Sequence, residues 1–287
     1  MAFGTNIRTY FEGRWHEGDI PVMRAADHGI WQGSSVFDGA RLFDGVTPDL
    51  DKHLARVNRS AAALMITPTI SDGDMLEIAR EGLAAYSPQQ SVYIRPMYWA
   101  IDGNDLGIAP LENSTAFALC LEEVAMSPAD FMTTLTRTRF RRPVLEDAVC
   151  NAKAGCLYPN NARMLVEAKS KGFGNALVAD AMGNVAESAT ANVFMVKDGV
   201  AFTPIANGTF LSGITRARHI ANLRADGVDV VETVLSFDDF HAADEVFLSG
   251  NFAKVTAVRE FDGTVYRDNR ITRRARQLYL DFAHSSR

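Results

Sequence analysis

Residues 150–158 of the chain, Cys-Asn-Ala-Lys-Ala-Gly-Cys-Leu-Tyr, surround one lysine, Lys153, with small and apolar neighbours. A desolvated lysine has a lowered pKa, and its neutral amine is a nucleophile. The alternative, and on this context alone the commoner situation, is a lysine whose stem is buried while its ammonium reaches solvent. Lys254, in Asn-Phe-Ala-Lys-Val, has similar surroundings. Context alone therefore does not choose between the two lysines.

Two segments downstream carry groups of other kinds. Glu187 follows a Gly-Asn turn among small residues, where its carboxylate would either face a heterocyclic nitrogen or solvate the turn. Residues 211–216, Leu-Ser-Gly-Ile-Thr-Arg, run through a glycine into a predicted helix, so the N–H groups of Ile214 and Thr215 are candidates for binding an anion. An ordinary helix start is the alternative there. A desolvated lysine, an isolated carboxylate and an anion site at a helix N-terminus are together what pyridoxal phosphate requires.

The composition excludes several classes of protein. The chain has 287 residues, of which 47% are hydrophobic and 22% charged, with a net charge of −6. This is typical of a globular protein and argues against a nucleic-acid binder or a protein that binds acidic membranes. No apolar run is long enough to span a membrane. Three cysteines do not make a disulfide framework, so we expect a cytoplasmic protein. The six histidines show no metal-binding spacing, and no metal is expected.

The order of predicted elements is mixed. Helices are predicted over 51–65, 71–86, 158–171 and 214–225, with alternating strand-like segments before, between and after them. One strand carries Arg137, Arg139 and Arg141 on a face that we expect to be solvated or to face another subunit, rather than to form an anion site. The pattern predicts an α+β fold with a small N-terminal domain at 1–122, a linker at 123–130 and a larger domain at 131–287.

Several motifs resemble the class IV (fold type IV) pyridoxal-phosphate-dependent aminotransferases, most closely the branched-chain amino-acid aminotransferase group. In the C-terminal half they are A-K-A-G-x-x-Y (152–158), E-S-x-x-x-N-V-F (187–194), L-x-G-I-T-R (211–216) and A-D-E-V-F-L-S-G (243–250). In the N-terminal half they are H-G-x-x-x-G-x-S-V-F-D-G-A-R (28–41), H-x-x-R (53–56) and V-Y-I-R-P (92–96). The resemblance implies a two-domain fold like that of D-amino-acid aminotransferase, with a small N-terminal α/β domain and a larger, cofactor-binding C-terminal α/β domain.

The resemblance also implies a role for each candidate residue. It favours Lys153 over Lys254 as the catalytic lysine, which bonds to pyridoxal 5'-phosphate and transfers protons. The cofactor's phosphate would be bound by Arg56, Asn251 and the N–H groups of Ile214 and Thr215. Its ring would be contacted by Glu187 at the pyridine nitrogen, Tyr158 at the phenolic oxygen and Leu211 on one face. The implied substrate residues are Phe37, Arg41, Tyr93, Arg95 and Phe252.

The implied reaction is transamination between an amino acid, expected to be a branched-chain L-amino acid, and a 2-oxo acid. The alternatives on the same scaffold are a D-amino-acid or (R)-amine transaminase and an aminodeoxychorismate lyase. The presence of Lys153, Glu187 and Arg56 argues against a non-catalytic protein that kept the fold. Two features depart from the family pattern: Lys254, where an acidic or neutral residue is common, and Trp31-Gln32, where branched-chain enzymes carry a tyrosine. A homodimer or higher homo-oligomer is expected.

Overall fold

The computed structural model describes residues 4–285, which form two compact units. The first unit includes the chain up to Met126 together with Ala152–Cys156, and the second includes Ser127–Asn151 and the chain from Leu157 onward. The short segment around Lys153 therefore belongs with the N-terminal unit. The predicted boundaries at residues 122 and 131 stay a prediction.

The first unit is built on an antiparallel sheet that, within the described residues, has six strands in the order β2-β1-β6-β5-β3, with β4 also paired to β5. The strands are β1 (Thr5–Phe11), β2 (Arg14–Glu17), β3 (Ser35–Phe37), β4 (Ala40–Leu42), β5 (Val92–Ala100) and β6 (Thr115–Glu123). The helices are α1 (His28–Trp31), α2 (Leu50–Ala63) and α3 (Asp72–Leu83). Buried Leu54 and Val57 share one face of α2, which contacts β3 and β5. This packing places α2 beside the strands that carry the candidate residues.

The second unit has a nine-stranded mixed sheet, counted over residues 4–285, in the order β12-β11-β10-β13-β14-β7-β8-β9 with β15 paired to β14. The strands are β7 (Met132–Arg141), β8 (Asn175–Ala179), β9 (Val185–Ser188), β10 (Asn192–Lys197), β11 (Val200–Pro204), β12 (Val230–Thr233), β13 (Glu245–Gly250), β14 (Lys254–Phe261) and β15 (Thr264–Val265). The helices are α4 (Tyr158–Ser170), α5 (Ile214–Ala225), α6 (Phe237–His241) and α7 (Arg270–Ser285). The rings of Phe194 and Phe247 stack on neighbouring strands in its core, 4.8 Å apart.

The α+β prediction is confirmed, and most predicted helices lie where the sequence placed them. The helix predicted at 71–86 begins as expected, with the Ser71 side chain accepting a hydrogen bond from the Asp74 N–H. Its predicted end is wrong: α3 stops at Leu83, because residues 84–86 turn and bury Tyr86 against β6. The three arginines of β7 are exposed, as expected.

The cysteines differ from one another. Buried Cys150 donates a hydrogen bond from Sγ to the Pro143 carbonyl over 3.3 Å, and burial raises the pKa of its thiol. Because Cys150 and Cys156 have no partner ligands nearby in the sequence, both are predicted to be buried structural thiols. For Cys156 this prediction is wrong, because it is exposed next to the short 3₁₀ turn Gly155–Leu157. Among the described residues, no helix combines the length and apolar character needed to cross a membrane.

Candidate active site

Lys153 is fixed through its backbone to two elements of the first unit. Its N–H donates to the Ser60 hydroxyl of α2 over 3.1 Å, and its carbonyl accepts from the Phe37 N–H of β3 over 3.1 Å. The next residue, Ala154, forms an antiparallel bridge with Val36. The Lys153 amine lies 4.9 Å from the centre of the Phe37 ring, within the range of a cation–π contact. The lysine is therefore carried by a loop that a helix and a strand hold in place.

Arg56 is bound by a buried carboxylate that sequence reasoning missed. Asp38 accepts from Arg56 Nε at Oδ2 over 2.6 Å and from Arg56 Nη2 at Oδ1 over 2.8 Å. His53, one turn before Arg56 on α2, lies 2.8 Å from the same Oδ1 through Nδ1. Burial alone would raise the pKa of Asp38, but the charges and hydrogen bonds of Arg56 and His53 outweigh it and hold that pKa far below its usual range. The carboxylate stays ionised and holds the guanidinium.

The candidate substrate residues of β4 and β5 lie close to one another. Arg41 pairs with Tyr93 in the strand register, is fully buried and donates from Nη2 to the Val124 carbonyl over 2.5 Å. Burial lowers the pKa of Arg41 to about 10. Arg95 donates to the Glu122 carboxylate and lies over the Tyr93 ring at 5.2 Å.

The Tyr93 hydroxyl lies against the backbone of Gly39. A Cβ added at Gly39 would lie 2.0 Å from that oxygen, so only glycine leaves room for the tyrosine here. Arg95 in turn is held by the Glu122 carboxylate, whose other oxygen accepts from the Gly4 N–H over 2.9 Å. These contacts fix the orientation of both side chains.

In the second unit, Glu187 is a buried carboxylate with two partners. It lies on β9, where Oε1 is 3.0 Å from Arg142 Nε and Oε2 accepts from Asn192 Nδ2 over 3.3 Å. Arg142 also donates to the carbonyls of Ser188 and Ala189 and to Asn161 on α4. A carboxylate that only solvated a turn would be exposed. Glu187 is buried beside a cation, so it does not solvate the turn, and its role toward a cofactor stays a prediction.

The start of α5 has the geometry of an anion site. Its N-cap is Gly213, which offers no side-chain acceptor to the first turn of helical N–H groups, including those of Ile214 and buried Thr215. A Cβ at Gly213 would lie 2.1 Å from Asn192 Oδ1, so glycine is needed for this close approach. Asn192 also donates from Nδ2 to the carbonyl of half-buried Leu211 over 3.2 Å. One asparagine thus joins Glu187 to the α5 entry.

The remaining candidates lie at the ends of elements. Asn251 and Phe252 follow β13 in the turn that leads to β14, and Phe252 is exposed. The Asn251 Nδ2 atom is buried and has no hydrogen-bond acceptor within the described part of the chain. A phosphate oxygen would satisfy such a donor, so this turn fits the implied cofactor. Tyr158 is the partly exposed first residue of α4, three residues before the Asn161 that contacts Arg142.

Comparison with known proteins identifies the family to which the chain belongs. Residues 35–261 match the model of the amino-transferase class IV family. The chain belongs to the class IV aminotransferase family. The branched-chain-amino-acid aminotransferase of Salmonella typhimurium is 30% identical to it, over 93% of this chain and 89% of that protein.

Two solved structures resemble this aminotransferase along almost its whole length. An aminotransferase from Brucella abortus, whose crystal structure is bound to the cofactor PLP, is 56% identical with a TM-score of 0.95, covering 97% of this chain and 99% of that one. The branched-chain amino acid aminotransferase of Escherichia coli is 28% identical with a TM-score of 0.89, covering 97% and 95%. The fold type IV prediction is confirmed.

Sequence reasoning missed two residues of this aminotransferase, Asp38 and Arg142, and one contact, that of Lys254 with Asn251. Asp38 was quoted within the V-F-D-G motif, three residues before Arg41, but nothing in that motif indicates that it binds Arg56. Arg142 directly follows β7, whose three arginines are exposed, so its place in the sequence gave no sign that it is buried beside Glu187. The residues assigned from the family pattern keep those roles as predictions.

Proposed function

We propose that this aminotransferase exchanges an amino group between a branched-chain L-amino acid and a 2-oxo acid, with pyridoxal 5'-phosphate as its cofactor. The observation that carries the proposal is the ionic arrangement of Glu187, a buried carboxylate held by Arg142. The PLP bound to the Brucella abortus relative and the activity named for the Salmonella typhimurium relative support it. When bound, the cofactor supplies a ring that accepts electrons from the substrate's α-carbon.

The reacting atoms are served by two residues in this proposal. Lys153 Nζ would hold the cofactor covalently, and its amine, once freed by the incoming amino acid, would accept and return the proton of the substrate α-carbon. Its backbone hydrogen bonds to Ser60 and Phe37 fix the main chain from which the amine extends. Glu187 would hold a proton on the ring nitrogen, and Arg142 Nε, which lies 3.0 Å from Glu187 Oε1, would keep the carboxylate in position.

The other cofactor and substrate residues orient what Lys153 acts on. Tyr158 would donate to the phenolic oxygen and Leu211 would pack on the ring. The phosphate would be held by Arg56, Asn251 and the α5 N–H groups of Ile214 and Thr215. Tyr93 and the Asn251-Phe252 turn receive the substrate carboxylate, while Phe37 borders the side-chain space. Arg41 and Arg95 support Tyr93 from the positions described above.

A substrate panel tests the proposed activity. The purified protein is expected to be yellow, and its absorbance should shift when L-leucine, L-isoleucine or L-valine is added. With 2-oxoglutarate as acceptor these three should react faster than D-alanine, D-glutamate or (R)-1-phenylethylamine. A faster reaction with a D-amino acid or an (R)-amine would replace the proposal with one of those activities. Release of pyruvate from aminodeoxychorismate would replace it with the lyase.

We also propose a homodimer in the cytoplasm. Trp31 and the loop 106–108 lie next to each other, since a Cβ at Gly107 would be 4.0 Å from the Trp31 ring. Trp31 is 58% exposed and Leu106 83% exposed, and Ile30 and Ile108 are also exposed. A contiguous apolar surface of this kind favours burial against a second copy of the chain. The three free cysteine thiols suit a reducing compartment.

A further inference from the structure

Lys254 is a buried cation to which the proposed mechanism gives no task. Its residue is 2% exposed, and its backbone is held in the left-handed region, at φ +64°. His219, on α5, donates from Nε2 to the Lys254 carbonyl over 3.2 Å. Burial lowers the pKa of His219 to about 4, so that ring is neutral and Nε2 carries the proton in this contact. Lys254 is thus rigidly placed by the helix that also provides the anion site.

The Lys254 ammonium fixes the orientation of the neighbouring asparagine. Its Nζ donates to Asn251 Oδ1 over 2.5 Å. An ammonium has three donors and no acceptor, so only the oxygen of the carboxamide can face it. The amide nitrogen, Nδ2, is then turned to the other side. The side chain of Asn251 therefore presents a donor, not an acceptor, to whatever binds at the turn.

That donor is buried and without an acceptor among residues 4–285. Buried N–H groups are nearly always paired in folded proteins, so the unmatched Nδ2 indicates a ligand that accepts hydrogen bonds. The position of the turn further restricts which kind of ligand can bind there. Asn251 follows Ser249 and Gly250, Ser249 pairs with Asn192 across β13 and β10, and Asn192 touches Gly213 at the start of α5. The acceptor lies beside a helix N-terminus, which favours an anion.

We propose that Lys254 is a positioning residue that locks the Asn251 amide as a hydrogen-bond donor to the cofactor's phosphate. The inference rests on the proposed function, because it takes that phosphate as the ligand. A residue that accepts at position 254 would attract Nδ2 and turn the oxygen toward the phosphate, where two acceptors repel. Lys254 and Asn251 therefore act as a pair, and the pair accounts for this departure from the family pattern.

The test measures how strongly apoenzyme variants distinguish pyridoxal 5'-phosphate from pyridoxal, which lacks the phosphate. Dissociation constants for both compounds are determined by fluorescence titration. The dissociation constant of pyridoxal divided by that of pyridoxal 5'-phosphate measures what the phosphate contacts contribute. Lys254→Met should lower this ratio about tenfold, the effect of losing one charge-assisted hydrogen bond to phosphate. Lys254→Arg, which also only donates, should stay within about threefold of the parent. Exposed Lys169→Met is the matched control and should leave the ratio unchanged.

The double variant decides how Lys254 acts. Asn251→Ala should lower the ratio as Lys254→Met does, and combining the two should lower it no further. If Lys254→Met lowers only the melting temperature and leaves the ratio intact, Lys254 is structural and the inference is wrong. Lys254→Gln has a carboxamide that both donates and accepts, so it should give an intermediate ratio. It replaces Lys254→Met in the test if the methionine variant does not fold.

Two results separate this inference from the proposed function. If Asn251→Ala leaves the ratio unchanged, Asn251 does not bind phosphate and the inference fails, while the transaminase proposal stands on the substrate panel. If the parent protein binds pyridoxal as tightly as its phosphate ester, the whole phosphate site fails.

Discussion

The carboxylate of Glu187 is held in one orientation by its contacts with Arg142 and Asn192. Because Arg142 and Asn192 occupy one oxygen each, the side chain can present a fixed negative charge to a bound ring. Glu187→Gln preserves shape but removes that charge. We expect kcat to fall at least about tenfold, corresponding to about 1.4 kcal/mol of lost transition-state stabilisation, while the cofactor remains bound.

Single-turnover half-reactions measure this effect directly. Glu187→Asp keeps the charge, drawn back by one methylene, and should retain more activity than Gln. Circular dichroism spectra and melting temperatures of both variants check that the altered contact with Arg142 has not disturbed the fold. Equal rates for all three proteins would remove Glu187 from the mechanism.

Lys153 is expected to be indispensable. Lys153→Ala should abolish transamination and the visible absorbance of the holoenzyme, since no other amine is held by Ser60 and Phe37. The backbone contacts that anchor position 153 do not involve its side chain, so the melting temperature should change little. Lys197→Ala, at a partly exposed position, is the control. Wild-type turnover in Lys153→Ala would move the catalytic role to Lys254.

Arg56→Ala should weaken cofactor retention more than it slows the chemistry of saturated enzyme. A charged hydrogen bond to phosphate contributes about 1.5–3 kcal/mol, so the dissociation constant of pyridoxal 5'-phosphate should rise at least about tenfold. Part of the rise in the dissociation constant reflects Asp38, which loses the Arg56 guanidinium as its partner. Equilibrium dialysis measures the dissociation constant. Arg59→Ala, at an exposed position on the same helix, is the control and should leave it unchanged. An unchanged constant would mean that Arg56 serves Asp38 alone.

Single residues were predictable where the local sequence was unusual, and not where the partner is distant in the chain. The apolar setting of Lys153 and the turn before Glu187 are visible locally. The Arg142–Glu187 ion pair and the Asp38–Arg56 pair depend on which strands and helices meet, which no local pattern encodes. Lys254 was noticed as a departure, but its contact with Asn251 required the left-handed turn between β13 and β14.

At the scale of elements, α5 combines a proposed anion site at its first turn with a neutral histidine in its middle. His219 has a pKa lowered to about 4 by burial, against an ordinary value of 6.5. The unfolded chain therefore binds a proton between these values that the folded chain does not. The free energy of unfolding is therefore unaffected by His219 above pH 6.5. Through His219 it should fall by up to about 3 kcal/mol as the pH drops to 4.

His219→Gln isolates this contribution. Glutamine can still donate to the Lys254 carbonyl but does not titrate, so the variant's free energy of unfolding should decline less between pH 6.5 and 4 than that of the parent. Urea denaturation at a series of pH values measures the difference. Parallel curves for the two proteins would contradict the neutral buried state of His219.

Helices were easier to predict than the sheets they cover. The periodic apolar positions of α2 and the Ser71 cap of α3 are local signals, and they placed α2 and the start of α3 correctly, although α3 ends three residues before its predicted end. The parallel pairing of β7 with both β14 and β8 joins segments far apart in sequence, and alternation alone does not specify such partners.

At the scale of the whole molecule, the apolar surface of Ile30, Trp31, Leu106 and Ile108 leads to a prediction about assembly. Leu106→Glu places a charge at its most exposed member and should convert the proposed dimer to monomers. Light scattering after size-exclusion chromatography measures the mass. Val166→Glu, at an exposed apolar position on α4, should leave it unchanged. A monomeric parent protein would contradict the homodimer.

The segment 152–156 has a consequence for how the chain is made. The first unit includes this segment, although 25 residues of the second unit, Ser127–Asn151, precede it in the chain. Domains generally fold in order as they leave the ribosome, N-terminal first. Here the nascent N-terminal unit cannot pair Val36 with Ala154, or Phe37 with Lys153, until translation has passed through β7. A message truncated after codon 126 would yield a sheet whose β3 lacks this bridge, so the loop that carries Lys153 is the last part of its own unit to be synthesised.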